Sequence, residues 1–142
     1  MGREEGDKLL NALLPFAQQM LGKHGSFFPF GGFVDRSGEV GLLAAYDGEE
    51  RPPSETLINT MVEGFKKEAP MKGHRAVGIC FDVLIQLSGQ TAKTDAIQIA
   101  IEYPDGEAVN VYLPYAKKWL GKIRYGEIVA SRGEAKVFTN AS

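Results

Sequence analysis

Leu9, Leu10, Leu13, Leu14, Ala17, Met20 and Leu21 recur at three- and four-residue spacing, the period of a helix that buries one stripe. Asp7 stands where an N-cap belongs, and Gly22 and Gly25 close the segment. Pro15 removes a backbone donor inside the stripe, so the spacing predicts a kink or a restart there. A second helix is predicted from Leu57, Ile58, Met61, Val62 and Phe65, capped by Ser54 and stopped at Ala69-Pro70. Between the helices, short extended runs at 33–35 and 39–46 flank Arg36-Ser37-Gly38, a hairpin loop in which glycine supplies the positive φ.

After residue 76 the period changes from helical to two. Val77, Ile79, Phe81, Val83, Ile85 and Leu87 alternate along one strand, and Ile97, Ile99, Ile101 and Tyr103 along the next. Val109, Val111, Leu113 and Tyr115 follow the turn Pro104-Asp105-Gly106, and a last strand is predicted over 123–130. The pattern predicts an α+β domain in the order α-β-β-α-β-β-β-β. Its antiparallel sheet has about five to six strands, with both helices covering one face. The chain of 142 residues has the length of a single domain over 1–142, with an ordered core at about 7–138.

If the isoleucine-rich positions all face the helices, the opposite face carries Gly78, Cys80, Asp82, Gln98, Ala100, Asn110 and Tyr112. Small and short polar residues there leave room for close approach, so this face reads either as an exposed face that happens to be poor in charge or as a contact, first with a second copy in a homodimer and then with a small-molecule ligand.

Charge narrows the partners. Sixteen basic against eighteen acidic side chains give a net charge of −2, which disfavours a general nucleic-acid binder. The first 63 residues carry five basic and ten acidic groups (net −5), the remainder eleven and eight (net +3). One cysteine excludes an internal disulfide, and no apolar run is long enough to span a bilayer. The expectation is a cytoplasmic protein with neither a nucleic-acid nor a membrane partner.

No phosphate-binding loop, dinucleotide fingerprint, H-E-x-x-H or paired Cys-x-x-Cys occurs, so no cofactor, metal or catalytic set is expected. Cys80 lies mid-strand, where an inert buried thiol is commoner than a nucleophile. His24 and His74 read as surface loop residues, and a zinc site would need both to converge with a carboxylate or Cys80. Asp95 has the parity of Ile97 and Ile99, so it faces the helices and caps backbone donors or pairs with Arg75 or Lys93. On the same reasoning Asp82 faces the other way, which makes the two a poor acid/base couple. Lys117, Lys118, Lys122 and Arg124 form a basic cluster around Trp119, read as a solvated loop whose indole packs down on the core rather than as a contact for phosphates. The aromatic stretch 27–33, with Phe28, Pro29 and Phe30, reads as a plug between the first helix and the sheet, with a lid over an apolar pocket as the alternative.

Three motifs in order, Gly25-Ser26-Phe27-Phe28-Pro29-Phe30-Gly31, Lys93-Thr94-Asp95-Ala96-Ile97 and Leu113-Pro114-Tyr115, resemble a family of small uncharacterised bacterial α+β proteins. In that family a G-x-F-x-P-F-[GA] entry precedes a [TS]-D-A-I strand and a P-Y segment. Ser26 stands here where an acidic residue is commoner. The resemblance implies a structural role for Phe28, Pro29, Phe30, Asp95, Pro114 and Tyr115 and brings no activity with it. The expectation is therefore a non-enzymatic binding or protein-interaction module. The alternatives are an immunity- or inhibitor-type protein using an acidic patch of Asp47, Glu49 and Glu50, and a small hydrolase or isomerase using Asp95 with His24 or His74.

Overall fold

Within one strand, alternation decides which side chains share a face; between strands the register decides it. The computed structural model describes residues 3–44 and 53–139. Its elements are α1 (Arg3–His24), β1 (Phe30–Val34), β2 (Val40–Ala44), α2 (Ser54–Lys72), β3 (Ala76–Gln86), β4 (Lys93–Glu102), β5 (Ala108–Lys117), β6 (Ile123–Tyr125) and β7 (Val129–Arg132). The α+β class and the element order are as predicted. The described strands form one antiparallel sheet in the order β2-β1-β3-β4-β5-β6, with β7 also paired to β5.

The last predicted strand is split in two, and Pro114 is the cause. β7 pairs with residues 109–112 of β5 and β6 with residues 115–117. Pro114 accepts a hydrogen bond from Gly126 N–H at 2.8 Å but has no N–H to return, so the ladder breaks between the two short strands.

The helices also depart from expectation. α1 starts at Arg3, so Asp7 lies inside it, and it runs through Pro15 without a restart. Pro15 and Asn11, whose carbonyl the proline leaves free, are both exposed, so water takes the released acceptor. Ser54 is the first residue of α2 rather than its cap; the Pro53 carbonyl accepts the Leu57 N–H at 3.2 Å. α2 passes Ala69-Pro70 and stops at Gly73, whose φ of 72° is the left-handed cap conformation.

The largest correction concerns the faces. β3 and β4 pair with Val77 opposite Glu102, Cys80 opposite Ile99 and Phe81 opposite Gln98. Even positions of β3 therefore share a face with odd positions of β4. Gly78 and Cys80 lie under α1, where Leu9, Leu13, Ala17 and Leu21 pack against Ile97, Ile99, Ile101, Val111 and Leu113. Val77 and Ile79 point the other way, toward Met61, Phe65 and Ala69 of α2. The two helices thus cover opposite faces instead of sharing one. No strand-internal pattern contains this information, because the turn between β3 and β4 sets the register.

Glycines permit the close packing. A Cβ at Gly32 would lie 3.0 Å from Leu13 Cδ2, and one at Gly78 3.2 Å from Leu13 Cδ1. One at Gly31 would lie 3.0 Å from the Gly78 carbonyl oxygen and 3.3 Å from Met61 Sδ. Adjacent residues of β1 thereby admit one helix on each side. Leu13→Ala is expected to cost about 2–5 kcal/mol and Gly31→Val about 1–3 kcal/mol in urea denaturation. Wild-type midpoints for both would contradict the helix placement.

Candidate functional site

Phe33 sits at the centre of a cleft formed by the described residues. It belongs to β1 and shares the α2 face with Phe65, their rings 6.5 Å apart and edge-on. A Cβ at Gly41 on the neighbouring strand would fall on the Phe33 ring, so that glycine makes its place. On the other side the His74 imidazole stacks on Phe33 with centroids 4.3 Å apart and planes within 15°. The cleft runs between the β1–β2 hairpin and the second half of α2, holds about 1000 Å³, and is walled further by Leu43 and Met71. Arg36, Lys72, Glu68, Asp35 and Ser37 supply its polar rim.

The ends of the elements position these groups. The Asp35 carboxylate accepts hydrogen bonds from Ser37 N–H and Glu39 N–H at 2.9 Å and from the Ser37 hydroxyl at 2.7 Å, which closes the hairpin turn. Those bonds, the Ser37 hydroxyl first, hold its carboxyl below the usual range. Arg36 lies over Gly73 and donates to the Lys72 carbonyl at 3.4 Å, at the negative end of α2. Lys72 pairs with Glu68 at 3.0 Å.

His74 follows the cap glycine, and its N–H donates to the Ala69 carbonyl at 3.0 Å. Its side chain is only 7 % exposed, and its Nδ1 is buried without a hydrogen-bond partner among the described residues. Burial, and after it the Lys72 charge, push its pKa below the ordinary value, so the imidazole is neutral at neutral pH. His74 also lines a second cleft of about 590 Å³ on its far side, with Phe138, Pro104 and Arg75. The sequence reading placed His74 in a surface loop. The available signal was its position directly after a helix-ending glycine, where a side chain commonly packs back on the last turn.

The residues grouped as one sheet face fall into two sets. Gly78 and Cys80 are buried beneath α1, and burial first and Asp82 second push the Cys80 thiol far up, so it is an inert core thiol. Gln98, Ala100 and Asn110 are on the α2 face, where with Val77, Ile79 and Phe81 they line a cavity of about 190 Å³; Tyr112 shares that face by register. Residues 134–138 help to close this cavity. Glu102, 7 % exposed, accepts hydrogen bonds from the N–H groups of Lys136 and Val137 at 2.8 Å and of Phe138 at 3.2 Å. The seven residues do not form one free face, which removes the ground on which a homodimer contact was expected there.

Asp82 and Asp95 are on the same face, contrary to expectation, because Asp82 opposes Ile97 and Asp95 opposes Leu84 and Tyr115. The Tyr115 hydroxyl donates to Asp82 Oδ1 at 2.8 Å. Desolvation raises the Asp82 pKa and the Asp95 charge adds to it; desolvation and then Asp82 raise that of Tyr115. The expected partner Arg75 sits instead beside the hairpin turn near Gly38. His74 stacks on Phe33 on the α2 face just before β3 begins, whereas Asp95 is on the α1 face opposite Leu84, roughly 26 Å along β3 from Ala76, so they form no catalytic pair. His24 is exposed in the last turn of α1. Among the described residues no three His, Cys, Asp or Glu side chains gather as a metal site.

Phe27 and Phe30 are buried against α1, with Phe30 edge-on to Phe16 at 5.0 Å, Pro29 is buried and Phe28 half-buried; the plug reading describes these, while Phe33 serves the cleft on the other face. Pro114 and Tyr115 are buried in β5. Trp119 does not pack on the core; it is 84 % exposed. Asp47, Glu49 and Glu50 lie outside the described residues.

No protein-family model, curated protein or solved structure matches this chain.

Because folding depresses the His74 pKa, the unfolded chain takes up this proton first. Its contribution to stability is intact above about pH 6.5 and falls as the pH drops below that value. Urea midpoints measured from neutral pH to about pH 5 are expected to show this loss in the wild type and less of it in His74→Leu. In a second measurement, Glu102→Gln should speed amide exchange at residues 136–138, because an amide offers those donors one acceptor oxygen in place of two.

Proposed function

We propose that the protein is a non-enzymatic binding module whose site is the cleft between the β1–β2 hairpin and α2. The observation that carries this reading is an aromatic-walled space of about 1000 Å³ with an imidazole and two cationic side chains at one end. Sites for small molecules combine an apolar lining with a few convergent polar groups, and this cleft has that composition. The ligand class it suits is a small amphipathic carboxylate. Its apolar body lies on Phe33, Leu43, Phe65 and Met71, and its head reaches Arg36. The Arg36 guanidinium uses one donor on the Lys72 carbonyl and keeps others for a carboxylate. Asp35 and Glu68 are committed to the turn and to Lys72, so among the described residues of the rim no carboxylate is free to serve as a base beside the imidazole.

Titration of 15N-labelled protein with benzoate, phenylacetate and octanoate tests the reading. Shifts are expected to cluster on Phe33, Phe65, Met71 and His74, and Arg36→Ala should weaken binding about tenfold, the loss of one hydrogen bond to a charged group. Shifts that scatter over the α1 face, or no shifts at all, would overturn it.

A further inference from the structure

The turn joining β5 to β6 presents an apolar point to solvent. Trp119 is 84 % exposed and Leu120 75 %, the two most exposed large apolar side chains described. They sit on a single 3-10 turn, Trp119–Gly121, which a hydrogen bond from Lys118 N–H to the Lys122 carbonyl at 2.6 Å closes at its base. Leu120 has φ 64° and ψ 28°, a left-handed conformation that costs a branched side chain energy. The chain thus holds a leucine outward at a position where glycine would be easier.

Cations flank this point, although Lys117 is also near enough to the Asp82 carboxylate to act on it. Lys118 and Lys122 flank the turn. Register places Lys117 with Ile123 on the α1 face of the ribbon and Arg124 with Ala116 on the α2 face. Lys117 Nζ also lies near Gly25, which brings it beside the end of α1 with its Lys23. No acidic residue occurs from 116 to 126.

We infer that this hairpin tip docks the protein on the surface of an anionic phospholipid bilayer, with Trp119 and Leu120 entering the headgroup boundary and the four cations meeting lipid phosphates. A ring of cations around an apolar point matches a planar anionic surface with an apolar interior. A nucleic-acid groove would instead call for cations along one track with aromatic rings between them. Tryptophan is favoured at the water–lipid boundary because its ring is apolar and its N–H polar. Leucine offers nothing to stack on a base but gains from hydrocarbon. No described helix is long and apolar enough to cross a membrane, so the contact is peripheral and reversible. It differs from the absence of a membrane partner expected from hydropathy and net charge, because both average over the whole chain and do not register a local run of four cations around one exposed apolar turn.

Trp119 is the only tryptophan, so its emission reports on the tip alone. Addition of phosphatidylcholine–phosphatidylserine vesicles to the intact protein is expected to shift the emission to the blue and to protect it from acrylamide. Phosphatidylcholine vesicles should do neither, and salt near 1 M should reverse the effect by shortening the screening length to about 3 Å. Lys118→Gln with Lys122→Gln should lower the vesicle partition coefficient about thirtyfold, at roughly a fivefold loss per lost charge. Trp119→Ala with Leu120→Ser should abolish co-sedimentation while circular dichroism stays unchanged, since neither side chain packs on the core. Unshifted emission with anionic vesicles overturns the inference. So does a response to single-stranded oligonucleotides without one to vesicles, or a lipid-independent blue shift that grows with protein concentration and marks a second copy on the tip.

Discussion

The fold depends on how closely two helices approach one short strand from opposite sides. β1 carries Gly31 and Gly32 in succession, and successive residues of a strand face opposite ways. Leucine methyl groups of α1 occupy the space over Gly32 and Gly78, while Met61 and Phe65 of α2 occupy the space over Gly31. A glycine inside a strand weakens it, by roughly 0.5–1 kcal/mol each. Full burial of Leu9, Leu13 and Met61 returns about 1.5–3 kcal/mol per side chain, so the exchange favours packing over strand propensity.

The same constraint explains how the large side chains are distributed. α1 rests on small residues of β1 and β3, and its leucines extend over the isoleucines of β4. α2 meets the large side chains of β3 and leaves β4 and β5 on its face to Gln98, Ala100 and Asn110, which residues 134–138 then cover. Each long strand is oily on one side only, but β3 and β4 turn their oily sides in opposite directions. The aromatic cleft lies where α2 and the hairpin diverge at the end of β1, and Phe33 is its floor because it has the parity of Gly31.

Element order and sheet type were legible in the sequence, since period and length carry them. The face assignments were not. Alternation in β3 and in β4 is correct strand by strand, yet a register that pairs odd with even positions reverses one strand relative to the other. That single quantity moved Gly78 and Cys80 under a helix and brought Asp82 beside Asp95 and Tyr115. His74 was misplaced because a lone polar residue between a helix and a strand reads as loop, and the expected helix end at Ala69-Pro70 hid that it directly follows the cap glycine Gly73 and stacks on Phe33. Trp119 was misread because large apolar side chains are usually buried, while here a closed turn holds one in water.

Pro114 has a consequence for colloidal behaviour. An intact ten-residue outer strand would leave a continuous row of unused donors and acceptors, ready to recruit a strand from another molecule and seed growth of an extended assembly. The missing N–H splits that margin into pieces of three and four residues, each too short to template a foreign chain. One ring nitrogen without a proton therefore guards this border of the sheet against self-accretion.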